Sequence, residues 1–179
     1  MEISINLLQE IDAGELFKFE SENRRFFEEM VPSRGDDYYD FEKFTIRHQE
    51  LLREQEDGLS NFYLIKNNAG EIVGRVNLVD MDKINSITDI GFRVGAEYIG
   101  KGIGNRALNL LLKTDLSVRQ IRGKTTTANY ASQQVLEKNG FSKVDIGEEE
   151  FELNGQKMRF VHYLWRSEKN DCNEFCHLI

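Results

Sequence analysis

The stretch Val94-Gly95-Ala96-Glu97-Tyr98-Ile99-Gly100-Lys101-Gly102-Ile103-Gly104-Asn105-Arg106-Ala107-Leu108 decides how this chain is read. On its N-terminal side, Thr88 to Val94 has the period of a strand, with Ile90, Phe92 and Val94 on one face. On its C-terminal side, 103–116 puts Leu108, Leu111 and Leu112 on one face of a helix. Between them, Gly100, Gly102 and Gly104 fall at alternate positions where the helix starts. Glycine lets successive backbone N–H groups turn toward one point. The first helical turn adds its own unpaired N–H groups and the positive end of its dipole. Strand, glycine turn and helix start together form a cradle for a phosphate or pyrophosphate, to which Lys101 can add charge.

A nucleotide P-loop needs G-x-x-x-x-G-K-[ST], and no Lys-Ser or Lys-Thr follows these glycines. A dinucleotide fingerprint needs G-x-G-x-x-G within a βαβ unit. Here the spacing is G-x-G-x-G, and the preceding strands read as antiparallel. Taken alone, the segment also fits a glycine-rich turn that only starts a helix.

Upstream, Asp12 with Glu15 reads as a capping box opening a helix through about Met30. Pro32, Ser33 and Gly35 end it. A second helix spans about Asp37 to Glu56, with Phe41, Phe44, His48, Leu51 and Leu52 at helical spacing. Strands follow over 62–66 and 72–79, separated by the turn Asn67-Asn68-Ala69-Gly70. Downstream of the loop come a Thr-rich strand (122–128), a helix (130–138) stopped by Asn139-Gly140, and strands over about 141–153 and 156–165. The last two are joined by Asn154-Gly155, a two-residue hairpin signal. Strand–helix–strand across 88–128 requires a crossover and hence a locally parallel pair. The fold class is therefore α/β of the mixed α+β kind: a central, mostly antiparallel sheet of six to seven strands with helices on both faces. Residues 1–166 read as a single domain and 167–179 as a polar C-terminal tail.

Composition narrows the function. The chain has 179 residues, a single Pro and 40% apolar residues, enough for a core. With 23 Lys+Arg against 31 Asp+Glu the net charge is −8. That weighs against general binding to nucleic acid or to an anionic membrane. No run approaches the ~18 apolar residues of a spanning helix, and MEISINLLQE is not a secretory signal. Both cysteines, Cys172 and Cys176, lie in the tail, so no disulfide frames the fold and a reducing cytoplasm is expected. With His177 they form C-x-x-x-C-H, which lacks a fourth zinc ligand, so no metal is assigned. His48 reads as a packed or rim side chain and His162, alternating with Phe160 and Leu164, as core.

A second segment, Asn129-Tyr-Ala-Ser132-Gln-Gln-Val-Leu-Glu-Lys138-Asn-Gly140-Phe141, changes the weight of the first. Together the two resemble the GNAT superfamily of acetyl-CoA-dependent N-acetyltransferases. The loop follows [RQ]-x-x-G-x-[GA], with Ile99 in the first position. The later segment follows N-x-x-[SA]-x-x-x-[LY]-x-K-x-G-F. The resemblance spans about residues 3–165. Asp12-Ala13 and Ile90-Gly91-Phe92 are most similar to the ribosomal-protein-alanine branch, which acetylates protein N-termini.

The resemblance implies acetyl-CoA as cosubstrate, with the parallel pair splayed to admit its pantetheine arm between Phe92, Val94 and Asn129. Backbone groups of Gly100, Lys101, Gly102, Gly104 and Asn105 would hold the pyrophosphate. Ser132 would be the acid for the departing thiolate, with Tyr130 a second hydroxyl nearby. Some relatives carry a Glu base on the strand before Asn129, where this chain has Lys124 and Thr125–Thr127. Candidate bases are Asp89, which could equally pair with Arg93, and the run Glu148-Glu149-Glu150 with Glu152; Asp89 and Glu150 are preferred. With no Cys near these motifs, transfer is expected to be direct. The acceptor is an amine, foremost a protein N-terminus. A polyamine or aminoglycoside acceptor, or an acyl-CoA sensor without turnover, are the alternatives. The sequence fits a monomer or a homodimer. Tyr38, Tyr39 and Phe41 either line the acceptor pocket or belong to the core.

Overall fold

The computed structural model describes residues 1–114 and 116–167. Seven strands form one sheet in the order β1-β2-β3-β4-β5-β7-β6. They are β1 (Ile3–Leu7), β2 (Asn61–Asn67), β3 (Ile72–Asp82), β4 (Ile87–Val94), β5 (Gln120–Thr126), β6 (Ser142–Leu153) and β7 (Gln156–Arg166). Every neighbouring pair is antiparallel except β4 and β5. The helices are α1 (Ala13–Glu22), α2 (Arg24–Glu28), α3 (Phe41–Glu56), α4 (Ile103–Leu112) and α5 (Tyr130–Lys138).

The alternation of β2 separates two cores, Tyr63 and Ile65 facing one and Phe62 and Leu64 the other. Ile90 faces α4 and α5 and joins Ile65, Val76, Leu108, Leu111 and Leu136. On the opposite face of the sheet, Leu16, Phe19 and Phe27 of the first two helices meet Phe44, Phe62 and Leu64. Tyr38 belongs to this second core, whereas Phe41 is half exposed. His48 is buried, its Nε2 3.0 Å from the carbonyl oxygen of Gln9. At the β6–β7 turn, Asn154 and Gly155 take φ of +52° and +76°, the primed turn that suits the twist of a hairpin.

Several local expectations are corrected. The helix expected over 12–30 is two helices, broken at Asn23. That side chain turns back on the carbonyl of Phe19 and outward to the backbone N–H of Ala96, so it competes with helical bonding. Asp12 does not cap through Glu15; its carboxylate accepts from the Gln9 N–H and pairs with Lys66. Strand β1 is an addition. Its five residues are too short to declare themselves, and pairing with the edge of β2 creates it. Helix α4 ends at Leu112 rather than 116, where the N–H groups of Lys113 and Thr114 make tighter bonds, three residues back, to Leu110 and Leu111. His162 is not core. In β7 the fully buried side chains are Val161 and Tyr163, whereas Phe160, His162 and Leu164 lie on the partly open face. Cys172, Cys176 and His177, with the rest of 168–179, lie outside the described residues.

Candidate active site

The parallel pairing of β4 with β5 stops after four positions, the last being Ile90 with Gly123. Strand β4 continues to Val94 and stays paired with β3 on its other side, where Val76 faces Phe92 and Gly74 faces Val94. Strand β5 turns instead toward β7, pairing through Thr126 with Phe160. The two strands therefore diverge, and a gap opens whose apex lies between Gly91 and Lys124. Phe92 and Val94 form one lip. The turn of Thr127–Asn129 and the start of α5 form the other.

At the outer end of β4, a single 3-10 turn (Ala96–Tyr98) leads into the glycines. Gly100 and Gly102 have φ of +75° and +71°, and Gly102 is the N-cap of α4. A side chain there would be strained as well as obstructive. No side chain caps the helix. The first helical bond runs from Arg106 N–H to the Gly102 carbonyl, which leaves the N–H groups of Ile103, Gly104 and Asn105 without an intrahelical acceptor. Lys101 keeps its ammonium over the Tyr98 ring, 5.2 Å from the centroid. Gly104 serves packing instead: a β-carbon there would touch Val135, Val94 and Phe92 at 3.5–4.0 Å. The side chain of Asn105 is engaged with Asn139, at 2.9 Å, and ties α4 to α5. Any ligand of Asn105 would thus be met by its backbone.

Across the gap, Asn129 caps α5, its Oδ1 accepting from the Ser132 N–H at 3.0 Å. Ser132 is half-buried in the first turn, and its hydroxyl has no hydrogen-bond partner among the described residues. Tyr130 is 71% exposed. The far side of α5 is held by Tyr163, whose hydroxyl donates to Glu137 at 2.9 Å. Burial first, and then that carboxylate, push the phenol up to about 12.

A splayed parallel pair beside a helix start with free N–H groups coincides with a family assignment. The family model described as Acetyltransferase (GNAT) domain matches residues 3–142. The chain belongs to the GNAT acetyltransferase family. It is an acetyl-CoA-dependent acetyltransferase, and curated relatives it matches are named as probable or putative N-acetyltransferases. The probable N-acetyltransferase YjcK of Bacillus subtilis (strain 168) is 31% identical over 160 residues, 86% of this chain and 87% of that protein. In fold, the chain is similar to the ribosomal-protein-S5-alanine acetyltransferase of Vibrio fischeri, with a TM-score of 0.86 at 20% identity, covering 94% of this chain and 95% of that one. It is also similar to RimL, the ribosomal L7/L12 alpha-N-protein acetyltransferase, in complex with coenzyme A. There the TM-score is 0.83 at 19% identity, over 94% and 96% of the two chains.

The face of the acetyltransferase sheet opposite α4 carries one of the two remaining candidates. Asp89 projects there and is paired with Arg122 of β5 at 2.5 Å, not with Arg93. Glu150 is exposed and paired with Lys157 across the hairpin at 3.1 Å. In register it lies opposite Arg159, and so on the other face of β7 from Phe160 and His162. The structure thus separates the two preferred bases. A cavity of about 590 Å³ runs over this face, lined by Ile87, Asp89, Arg122, Lys124, Asp145 and His162 among others. The hairpin tip leans across to α2, where Asn154 Nδ2 donates to the carbonyls of Glu28 and Glu29.

Glu20 of α1 and Asn23, the C-cap of that helix, hold this frame, and sequence reasoning missed both. Glu20, fully buried, accepts from Arg75 of β3 and Arg93 of β4, each at 2.9 Å. Burial alone would raise its pKa, but the charges of Arg75 and then Arg93 outweigh that and hold it below the usual carboxylate range. Asn23 reaches the N–H of Ala96 at 2.8 Å. A β-carbon on Gly95 would stand 3.0 Å from Phe19 and 3.2 Å from Asn23. The strand and loop that border the gap are therefore bolted to α1. The only sequence signal was a Glu on the apolar face of a helix, two residues from Glu22 on the solvent side.

Proposed function

We propose that this enzyme carries acetyl-CoA in the gap between β4 and β5 and transfers the acetyl group directly to the N-terminal α-amine of a protein. The observation that supports it is the conjunction of the strand divergence after Ile90–Gly123 with the unpaired N–H groups of Ile103, Gly104 and Asn105. The pantetheine arm would lie along Phe92 and Val94 as an added strand, with Asn129 opposite. Gly100, Lys101, Gly102, Gly104 and Asn105 would meet the pyrophosphate with backbone N–H groups.

In the transfer, the neutral amine nitrogen attacks the thioester carbonyl carbon from the face opposite α4. The C–N bond forms, and a strand N–H near Val94 meets the developing oxyanion. The C–S bond then breaks, and Ser132 Oγ passes a proton to the thiolate and takes one back from solvent, so the serine ends neutral. Since a thiol has a pKa of ~8.5, a hydroxyl donor suffices. The ammonium proton leaves through water to a carboxylate. Asp89, on the open face of β4, is the proposed receiver; Glu150 lies on the other face of the hairpin, paired with Lys157, away from the acceptor's approach. An α-amine of pKa ~8 asks far less of such a base than a lysine of ~10.4.

The test is thiol release from acetyl-CoA with a panel of amines: a short peptide with a free N-terminal alanine, the same peptide N-blocked with an internal lysine, spermidine and an aminoglycoside. Release with the free α-amine peptide is expected. Preference for spermidine or the aminoglycoside would favour a small-molecule enzyme. Calorimetric binding of CoA without release for any amine would identify a sensor.

A further inference from the structure

We propose that Lys124 sets the charge state of the acceptor, lowering the pKa of the bound amine so that an α-amine reaches the thioester already neutral. This rests on the acetyl-transfer reading above, which brings the acetyl end of the carrier to the apex of the gap.

Lys124 is the first residue of β5 beyond the last paired position. Gly123 buries its α-carbon against Leu136 and Tyr163. Alternation therefore sends Lys124 to the opposite face of the sheet, the face from which the acceptor must come. Its ammonium stands over the Phe160 ring at 3.8 Å from the centroid. Lys124 is exposed, and Phe160 in turn stacks on Phe151 at 4.5 Å, so the charge rests on an aromatic shelf at the surface of the gap.

The surrounding charges leave it uncompensated. On β4 and β5, Asp89 and Arg122 neutralise each other. On β7, His162 lies opposite Lys124 in register, and Asp145 of β6 lies opposite His162. On the α1 side, Glu20 is shared between Arg75 and Arg93, a cluster with one positive charge in excess. Lys124 pairs with no carboxylate among the described residues. Asp145, two strands away from β5, offsets one of these charges, and the excess positive charge of the arginine cluster remains, so the apex of the gap is positive.

A positive charge beside a bound amine disfavours its protonated form. For an α-amine of free pKa ~7.7–8, a drop of ~0.5–1 unit makes a large fraction neutral near pH 7. For an amine near 10.4 the same drop leaves it almost wholly protonated, and two or three cationic centres would be repelled as well. Lys124 thus brings an α-amine, and not a lysine side chain, to a largely neutral state, its charge repels the further cationic centres of a polyamine, and it lightens the task of a base whose best-placed candidate, Asp89, is already paired.

The experiment is the pH dependence of kcat at saturating peptide with a free N-terminal alanine, which reports the titration in the bound complex. Wild type is compared with Lys124→Met, which keeps apolar length over Phe160, and with Lys124→Arg, which keeps charge. In the methionine variant the acidic limb is expected to move up by ~0.5–1 unit, a loss of roughly threefold to tenfold at pH 6.5 that vanishes near pH 9. The arginine variant is expected to follow wild type. Superimposed profiles for Met and wild type, or an equal loss at every pH, overturn the proposal while leaving acetyl transfer intact. Failure of the wild-type enzyme to release thiol with any amine overturns the reading beneath it.

Discussion

Glu20→Gln tests how much of the molecule depends on the charge buried between α1 and the sheet. Glutamine keeps the shape and one acceptor oxygen but removes the negative charge. Arg75, 5% exposed in its side chain, and Arg93, 18% exposed, would then share a site with no counter-charge. Removing one partner of a buried ion pair costs about 3–5 kcal/mol. The Phe27 ring beneath the Arg93 guanidinium, at 4.6 Å, and the Tyr38 hydroxyl, 3.4 Å from Arg75, offset part of that. We expect about 3 kcal/mol at pH 7, or ~6–12 °C in Tm for a chain of this size.

The two arginines respond unequally. Burial lowers the pKa of each, but the attraction of Glu20, with help from Tyr38, outweighs it for Arg75 and fails to do so for Arg93. Arg93 is therefore the less compensated cation, and adding Arg93→Met to Glu20→Gln is expected to recover part of the loss. The folded pKa of Glu20 lies below its unfolded value, so its stabilisation is full above about pH 4.3. It is lost as pH falls through the folded value, so the gap between wild type and variant should close in acid. Urea unfolding at pH 7 and pH 3 reads both effects. A gap under about 1 kcal/mol at pH 7, or one that persists unchanged at pH 3, would refute the argument.

Gly102→Glu should abolish CoA binding by calorimetry, since it places a carboxylate in the cradle and forces a side chain onto a left-handed backbone; retained affinity would move the carrier elsewhere. Ser132→Ala should lower kcat about tenfold to a hundredfold with an unchanged CoA dissociation constant, and unchanged turnover would remove that hydroxyl from the mechanism. Asn23→Ala should weaken CoA binding severalfold with little loss of Tm, because the Ala96 N–H it releases belongs to the approach to the glycines; Asn23→Asp, which keeps the acceptor oxygen, should restore it.

What the sequence disclosed was whatever is written in backbone terms. Gly100 and Gly102 need left-handed φ at a helix start, Asn129 caps the next helix, and Asn154-Gly155 closes a hairpin. Each is a local rule, so each was legible from a few neighbouring letters. Three other features depend on partners far along the chain. Strand β1 exists through pairing with β2, some sixty residues later. The helix break at Asn23 is fixed by Ala96, 73 residues away. Glu20 is buried because Arg75 and Arg93 arrive from two strands. His162 failed for a related reason: period-two alternation is correct for β7, but it does not say which face the helices cover. Val161 and Tyr163 took the covered one.

The same division runs through the active site. In the proposed site the carrier side is built from main-chain N–H groups, which any sequence with glycine at the right positions supplies, and Ile99 stands where the family's loop pattern has Arg or Gln. The acceptor side is built from charged side chains delivered by β3, β4, β5 and β7 together, and its character is set by how they pair. Asp89 is paired with Arg122 and Glu20 with two arginines, so on our proposal Lys124, with Asp145 two strands away, sets the field at the apex. Since α1 grips β4 through Arg93 and the cofactor loop through Ala96, a shift of α1 on acceptor binding must be felt at the lip formed by Val94. The proposed carrier and acceptor sites are in this way two faces of one strand, held by one helix.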